Sequence, residues 1–401
     1  MRHSKFHAPL HFAGVLLVVI LWSVAAPAMG GKDKSPAYTY TALGNPSASS
    51  NAKPVVDAQS IVLMGGGYDV GEAFRWMINR AGVTSTSGGH FLVLSATGSD
   101  AYNPYIYSDA GGVDTTTPKL YEMVGGKTMG LSSSATLIIP NRTAANDPRV
   151  NSIIGTASAI FIAGGDQADY YNHWHGTGVE TALRSALAKN IPIGGTSSGA
   201  EIMGQFAFVA LNGSVTSSQA LGDPFNPYMT INPLNTTNYT ESMLTPHSLE
   251  ATITDVHVNT RDRLGRSIAF MARLGIACGG PVNDIRTLTI ALDEETALLI
   301  SGSTVVHLAV NPYNAENFTS GRYTPANSAY FVRATTAPSV CKSRAPLRYQ
   351  SAGVRVTRWS AYAAADPAPN TSYIAAYNST STVYGVEKGS ITHSNNIPAP
   401  Y

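Results

Sequence analysis

The stretch Ile191-Pro192-Ile193-Gly194-Gly195-Thr196-Ser197-Ser198-Gly199-Ala200 decides how the chain is read. A short apolar strand runs into a glycine-flanked serine, and residues Ala200 to Ala207 carry a helical pattern. Strand, tight turn and helix with G-x-S-x-G at the turn is the context of a nucleophile elbow. A serine exposed on so sharp a turn needs neighbours without side chains, so that backbone and substrate can come close. Its hydroxyl then sits at a helix start, where backbone N–H groups can stabilise an oxyanion. Upstream, Thr177 and Glu180 have capping-box spacing for a helix whose apolar face is Val179, Leu183 and Leu187.

Outward from the elbow, short apolar runs alternate with helical segments. Ile61-Val62-Leu63-Met64 reads as a buried strand ended by Gly65-Gly66-Gly67, and Val70 to Ala81 as a helix with Phe74, Met77 and Ile78 on one face. Phe91 to Leu94, Ala135 to Ile139 and Ala159 to Ala163 read as further strands. The alternation predicts an α/β fold, a mostly parallel sheet with helices on both faces. Such sheets bind ligands at the carboxyl ends of their strands. Residues 29–56, rich in Gly, Pro, Ser and Lys with one Tyr/Thr cluster, read as a linker. Beyond residue 310 the chain turns to Ser, Thr, Asn, Tyr and Pro, with strand-like pieces at Tyr330 to Val332 and Tyr373 to Tyr377. A β-rich C-terminal extension or covering layer is expected there.

Composition narrows the function. Only 13% of the 401 residues are charged and the formal net charge is +1, so no basic excess exists to hold a phosphate backbone, and nucleic acid is excluded as a partner. At 44% hydrophobic the chain is too apolar for disorder, and two cysteines are too few for a disulfide-built scaffold. Cys278 and Cys341 could pair in an oxidising compartment or remain separate buried thiols. Arg2 and Lys5, the apolar run Phe12 to Val24 and Ala26-Pro27-Ala28 together read as a signal peptide over residues 1–28. Its removal would shift the charge balance to −1 and leave no membrane segment. N-x-S/T sequons start at Asn141, Asn212, Asn235, Asn238, Asn317, Asn370 and Asn378.

A serine hydroxyl is a weak nucleophile without an adjacent base, so a histidine is required. His257 closes Ile253-Thr254-Asp255-Val256-His257, which reads as a strand end. A helix is expected just beyond it, with Thr260 as N-cap, an apolar face of Leu264, Ile268 and Met271, and Gly275 as C-cap. Its first turns hold Arg261, Arg263 and Arg266, where cations oppose the helix dipole by about 0.3–1 kcal/mol each. In a chain so poor in charge, three arginines beside a candidate base point to an anionic substrate group. His173 and His175 flank Trp174, but no third ligand has metal spacing, and an amphipathic loop is expected. The acid that would orient His257 stays open among Glu201, Asp223, Glu241, Glu250, Asp255 and the run Asp293-Glu294-Glu295.

The combination resembles the cyanophycinase family, serine peptidases related to aspartyl dipeptidases, from about Ser60 to Ile300. The carrying segments are Gly65 to Asp69, Ala96 to Tyr102, Gly164 to Gln167, Gly194 to Ala200, Thr254 to His257 with Arg261 to Arg266, and Asp293 to Leu298. The resemblance implies a flavodoxin-like α/β fold, Ser197 as nucleophile, His257 as general base and Glu294 as the orienting acid. It also implies Gln167, Asp255, Arg261, Arg263 and Arg266 as substrate-pocket residues. Two departures stand out: Ser198 where the family usually has alanine, and Val256 where some members have glutamine.

The expectation is thus an exported serine-type exopeptidase, secreted or periplasmic. It would degrade cyanophycin, multi-L-arginyl-poly-L-aspartate, to β-Asp-Arg dipeptides through an acyl-enzyme, without metal or organic cofactor. The catalytic domain would span residues 57–310 and the extension 311–401. The partner would be an acidic or arginine-bearing peptide or polymer, and a homodimer is compatible. Rival readings are a peptidase for other aspartyl or isoaspartyl peptides and a non-catalytic binder of acidic polymer. A glutamine amidotransferase-like site would carry cysteine, not serine, at position 197.

Overall fold

Ile61 and Leu63 enter one hydrophobic core and Val62 and Met64 another, so the strand they form is buried on both faces. That is why the run lacks polar alternation. The computed structural model describes residues 37–109, 123–234, 242–310, 327–361, 377–387 and 390–393. The signal-peptide segment, Glu241, residues 373–376 and the sequons at Asn235, Asn238, Asn317 and Asn370 lie outside them.

In chain order the strands are β1 (Thr39–Gly44), β2 (Ser60–Met64), β3 (His90–Ser95), β4 (Ser133–Ile138), β5 (Ala159–Ile162), β6 (Ile193–Thr196), β7 (Ala207–Phe208) and β8 (Ile231–Asn232). There follow β9 (Thr252–Asp255), β10 (Leu288–Leu292), β11 (Thr296–Ser301), β12 (Thr304–Val310), β13 (Ser328–Ala334), β14 (Tyr349–Ala361), β15 (Tyr377–Glu387) and β16 (Ser390–His393). The larger sheet has the order β1-β4-β3-β5-β6-β2-β11-β12. Its inner strands β4, β3, β5, β6 and β2 are mutually parallel, while β1, β11 and β12 pair antiparallel at the two edges. The helix Gly71–Arg80 covers one face through Phe74, Met77 and Ile78, and Gly178–Ala188 the other through Val179, Leu183 and Leu187.

A second sheet, β16-β15-β14-β13-β10-β9, is antiparallel apart from the β9–β10 pair. The expected β-rich C-terminal region is therefore present, and its strands extend a sheet that β9 and β10 begin. Cys278 and Cys341 form a disulfide, with Cα atoms 5.3 Å apart, tying the chain after the arginine helix to that region. Among the described residues no helix is long and apolar enough to cross a membrane.

Several local expectations are corrected. Part of the linker is strand: Thr39-Tyr40-Thr41, the β-prone cluster, pairs with Leu137 and its neighbours as an edge strand. The helix after Ser197 spans only Ser198–Glu201. Gly204 then passes so close to β9 that a Cβ would lie 2.8 Å from Thr252 O, and Phe206 pairs with Ile253 instead of continuing a helix. Thr177 makes no capping box; its hydroxyl donates to Trp174 O, while Glu180 accepts from Gly176 N and contacts His175. His175 is buried and His173 lies on the helix Gln167–Trp174, so the expected loop is mostly helix. The helix after His257 is broken in two, Val258–Arg261 and Leu264–Leu274, by Asp262 in the left-handed region at φ 46°. Thr260 therefore caps neither piece.

Candidate active site

Three consecutive carbonyls at the end of β2 hold the site. Met64 O accepts from Ser197 N at 3.1 Å, Gly65 O from His257 N at 3.0 Å, and Gly66 O from Glu295 N at 2.7 Å. Segments from β6, β9 and β10 thus converge on one glycine-rich strand end, the edge where parallel sheets present ligands. Glycine is required there. At Gly66, φ 92°, a Cβ would lie 2.2 Å from His257 Cε1, and at Gly67 one would lie 3.1 Å from Glu294 Cβ.

Ser197 sits at φ 51° and ψ −125°, a conformation costing an L residue about 1–3 kcal/mol. The turn is held in place by its glycines: a Cβ on Gly195 would strike Gly199, and one on Gly199 would lie 2.2 Å from Ile162 O. Ser197 Oγ is 2.7 Å from His257 Nε2, and His257 Nδ1 is 2.5 Å from Glu294 Oε1. The network assigns the tautomer: Nδ1–H donates to the carboxylate and Nε2 is left to accept from the serine. Thr260 Oγ1 donates to the same Glu294 oxygen at 2.9 Å, and Asn259 Oδ1 accepts from Glu294 N at 3.0 Å. Burial lowers the His257 pKa; the Glu294 hydrogen bond opposes this, and Arg261 adds to the lowering. The His257 hydrogen bond holds Glu294 below its usual range.

A base must be neutral to act, and kcat/KM reports the free enzyme's ionisations. The acid limb of a kcat/KM–pH profile is therefore expected to have its midpoint below 6.5, the ordinary histidine value. A midpoint above it would mean that Glu294 outweighs burial.

The expected pocket residues divide. Asp255 and Arg266 are each wholly buried and paired with one another, Arg266 Nη2 lying 2.5 Å from Asp255 Oδ1 and 2.7 Å from Glu201 Oε1. Neither side chain is exposed to solvent or lines the cleft beside Ser197, which corrects the expectation for both. The reason is the helix Leu264–Leu274, buried along its whole length and so lacking a solvated face. Arg263 is also buried, donating to Val256 O at 3.1 Å, and its pKa is pushed down to about 10, chiefly by that burial. Burial likewise pushes Glu201 up to about 7 against the pull of Arg266. Arg261 is exposed and close enough to influence both His257 and Glu294. Gln167 is half-buried, and Ser198 Oγ lies 3.0 Å from its Oε1 and 2.6 Å from Gly165 O, joining the elbow to the loop after β5.

A cleft of about 310 Å³ opens beside Ser197 and His257, toward the loop after β3, where Ser95, Thr97, Ser99 and Tyr102 line it. Beside it, burial pushes Asp69 up to about 6 against hydrogen bonds from Tyr102 and Thr196. Sequence reasoning named Gly65 to Asp69 and Ala96 to Tyr102 only as segments that carry the resemblance, and gave no site role to Gly66, Asp69, Asn259 or this hydroxyl-bearing loop. The position of Ala96 to Tyr102 directly after a buried strand was the available signal for the last.

Residues 120–263 match the model of peptidase family S51, a span that contains Ser197 and His257 and ends before Glu294. No curated protein matches the chain. Among solved structures, a peptidase from an acI-B1 Actinobacterium is similar at 17% identity and a TM-score of 0.38, covering 63% of this chain and 88% of its own. A putative peptidase E from Listeria monocytogenes EGD-e is similar at 16% identity and a TM-score of 0.35, covering 62% of this chain and 97% of its own.

Proposed function

We propose that this serine peptidase, with its family S51 segment at residues 120–263, is an exported enzyme that hydrolyses cyanophycin or related β-linked Asp-Arg peptides. The observation that carries the reading is the hydrogen-bonded row Ser197, His257, Glu294 standing on one ladder of carbonyls. Ser197 Oγ attacks the aspartyl carbonyl while His257 Nε2 takes its proton, and Glu294 supports the imidazolium that forms. The N–H of Ser198, at the first helical position, has no intrahelical acceptor and would donate to the oxyanion that develops. Collapse breaks the C–N bond, His257 returns its proton to the leaving amine, and water repeats the sequence on the acyl-serine.

In this reading Arg261, exposed and near enough to influence His257 and Glu294, is the cation that meets a substrate carboxylate. The Cys278–Cys341 disulfide supports export, because such bonds persist in oxidising compartments. Asn141 and Asn212, two of the sequons, are exposed and open to modification in a host that glycosylates. One observation favours a second reading, a peptidase for smaller aspartyl or isoaspartyl peptides. Asp255, expected as a pocket residue, is bound up with Arg266, which leaves it unavailable to pair with a substrate arginine.

Purified protein incubated with insoluble cyanophycin and with isoaspartyl dipeptides separates the readings. Clearing of the polymer is expected, with a loss of about 10³-fold or more in Ser197→Ala. Dipeptide cleavage without clearing would select the second reading. Undiminished activity in Ser197→Ala would remove the serine mechanism altogether.

A further inference from the structure

We infer that the C-terminal region past residue 310 is a working part of the catalytic apparatus, because its strands grip the residue that carries the candidate acid into place. Asp293 leaves β10 immediately before Glu294 and is 0% exposed. Its N–H donates to Ser328 O at 3.0 Å, and its Oδ2 accepts from Ser328 N at 3.1 Å and from Tyr330 OH at 3.3 Å. Ser328 Oγ in turn accepts from Arg358 Nε at 2.9 Å, and the Arg358 guanidinium lies 5.9 Å from the Tyr330 ring centre. Ser328 and Tyr330 belong to β13 and Arg358 to β14, outside the span that matches the peptidase family. Burying a carboxyl group is costly unless it is hydrogen-bonded, and burial drives this one toward its neutral form, so the side chain is held where its donors are.

The consequence falls on Glu294. Its backbone is fixed behind by Asp293 on β13, at its own N–H by Asn259, and ahead by Glu295 N on Gly66 O. Releasing the first of these frees the carboxylate that orients His257. A misplacement of about 1 Å in such a group costs on the order of 100-fold in rate. Asp293 is thus a positioning residue that acts through Glu294, and β13 and β14 are its anchor. This rests on the reading of Glu294 as the acid partner of His257.

The test needs no knowledge of the substrate. A fluorophosphonate forms an O–P bond with an activated serine as P–F breaks, fluoride leaves and the proton passes to the base. The rate of Ser197 phosphonylation therefore reports the row directly. Asp293→Ala is expected to slow labelling about 100-fold and Asp293→Asn, which keeps an acceptor for Ser328 N, to restore most of it. In a Glu294→Gln background, Asp293→Ala is expected to add no further slowing, since the two act as one unit. Should Asp293→Ala not fold, Tyr330→Phe removes a single hydroxyl and is expected to slow labelling about fivefold, the worth of one neutral hydrogen bond. Wild-type labelling in the folded Asp293 and Tyr330 variants overturns the inference, as does full additivity with Glu294→Gln. Wild-type labelling by Glu294→Gln alone would instead overturn the assignment of the acid itself.

Discussion

Arg266→Ala is expected to cost the folded state about 3–5 kcal/mol, the range for removing one partner of a buried ion pair. The guanidinium is 0% exposed, bonded to Asp255 and Glu201, and its centre lies 5.1 Å and 5.3 Å from the Phe208 and Phe270 rings. Truncation leaves Asp255 and Glu201 without the cation they share, with Arg263 Nη1, 3.9 Å from Glu201, as a nearby cation. Thermal melting checks it: a fall of roughly 10 °C is expected for a chain of this size. Arg266→Lys should fall between, since an ammonium cannot fork to two carboxylates. A pocket arginine would behave differently, raising KM while leaving the melt unmoved. That result would return Arg266 to the substrate.

Gly66→Ala is expected to lower kcat by about 100-fold or more while the protein stays folded. The added methyl would lie 2.2 Å from His257 Cε1 and 2.7 Å from Nε2, the atom facing Ser197. Either the imidazole or the backbone must move, and both separate the base from the nucleophile. Gly66 also has φ 92°, where alanine carries a strain of about 1–3 kcal/mol. Gly213→Ala controls for that strain: φ is 97° there, and the nearest atoms to a Cβ are on Tyr228 at 3.7 Å. It is expected to melt lower but keep its kcat. Equal kcat in wild type and Gly66→Ala would mean the ring tolerates displacement, and the hydrogen-bonded row would lose its claim to limit the rate.

The parts of the fold legible in the sequence are those governed by local pattern. Strands at 61–64, 91–94 and 159–162 follow from apolar runs, and the elbow from glycine spacing, because burial on both faces and a positive φ leave direct marks on residue choice. Pairing leaves none. Nothing in Thr39-Tyr40-Thr41 names β4 as its partner, and nothing in Thr296 to Val310 announces a turn to antiparallel at the far edge. The arginines show the same limit in the site. Leu264, Ile268 and Met271 mark one apolar face, but spacing cannot reveal that the opposite face also packs, against Ser217–Gly222 and the second sheet. A solvated cation and a buried, paired one look alike in sequence. Glu294 stands among several acids until the return of β10 beside Gly66 brings one carboxylate within 2.5 Å of His257.

Ser197 follows a strand of the larger sheet, whereas His257 and Glu294 follow strands of the smaller one. The row of hydrogen bonds therefore crosses the seam where the two sheets dock, and neither layer holds a complete site. Leu288, Ile290, Leu292 and Ala329 from one layer share a core with Ile61, Leu63 and Leu298 from the other, and that shared core sets the distance from Oγ to Nε2. Chemistry in this protein is accordingly a gauge of docking. If the row is the catalytic one, turnover is expected to report how well the two layers are seated against each other.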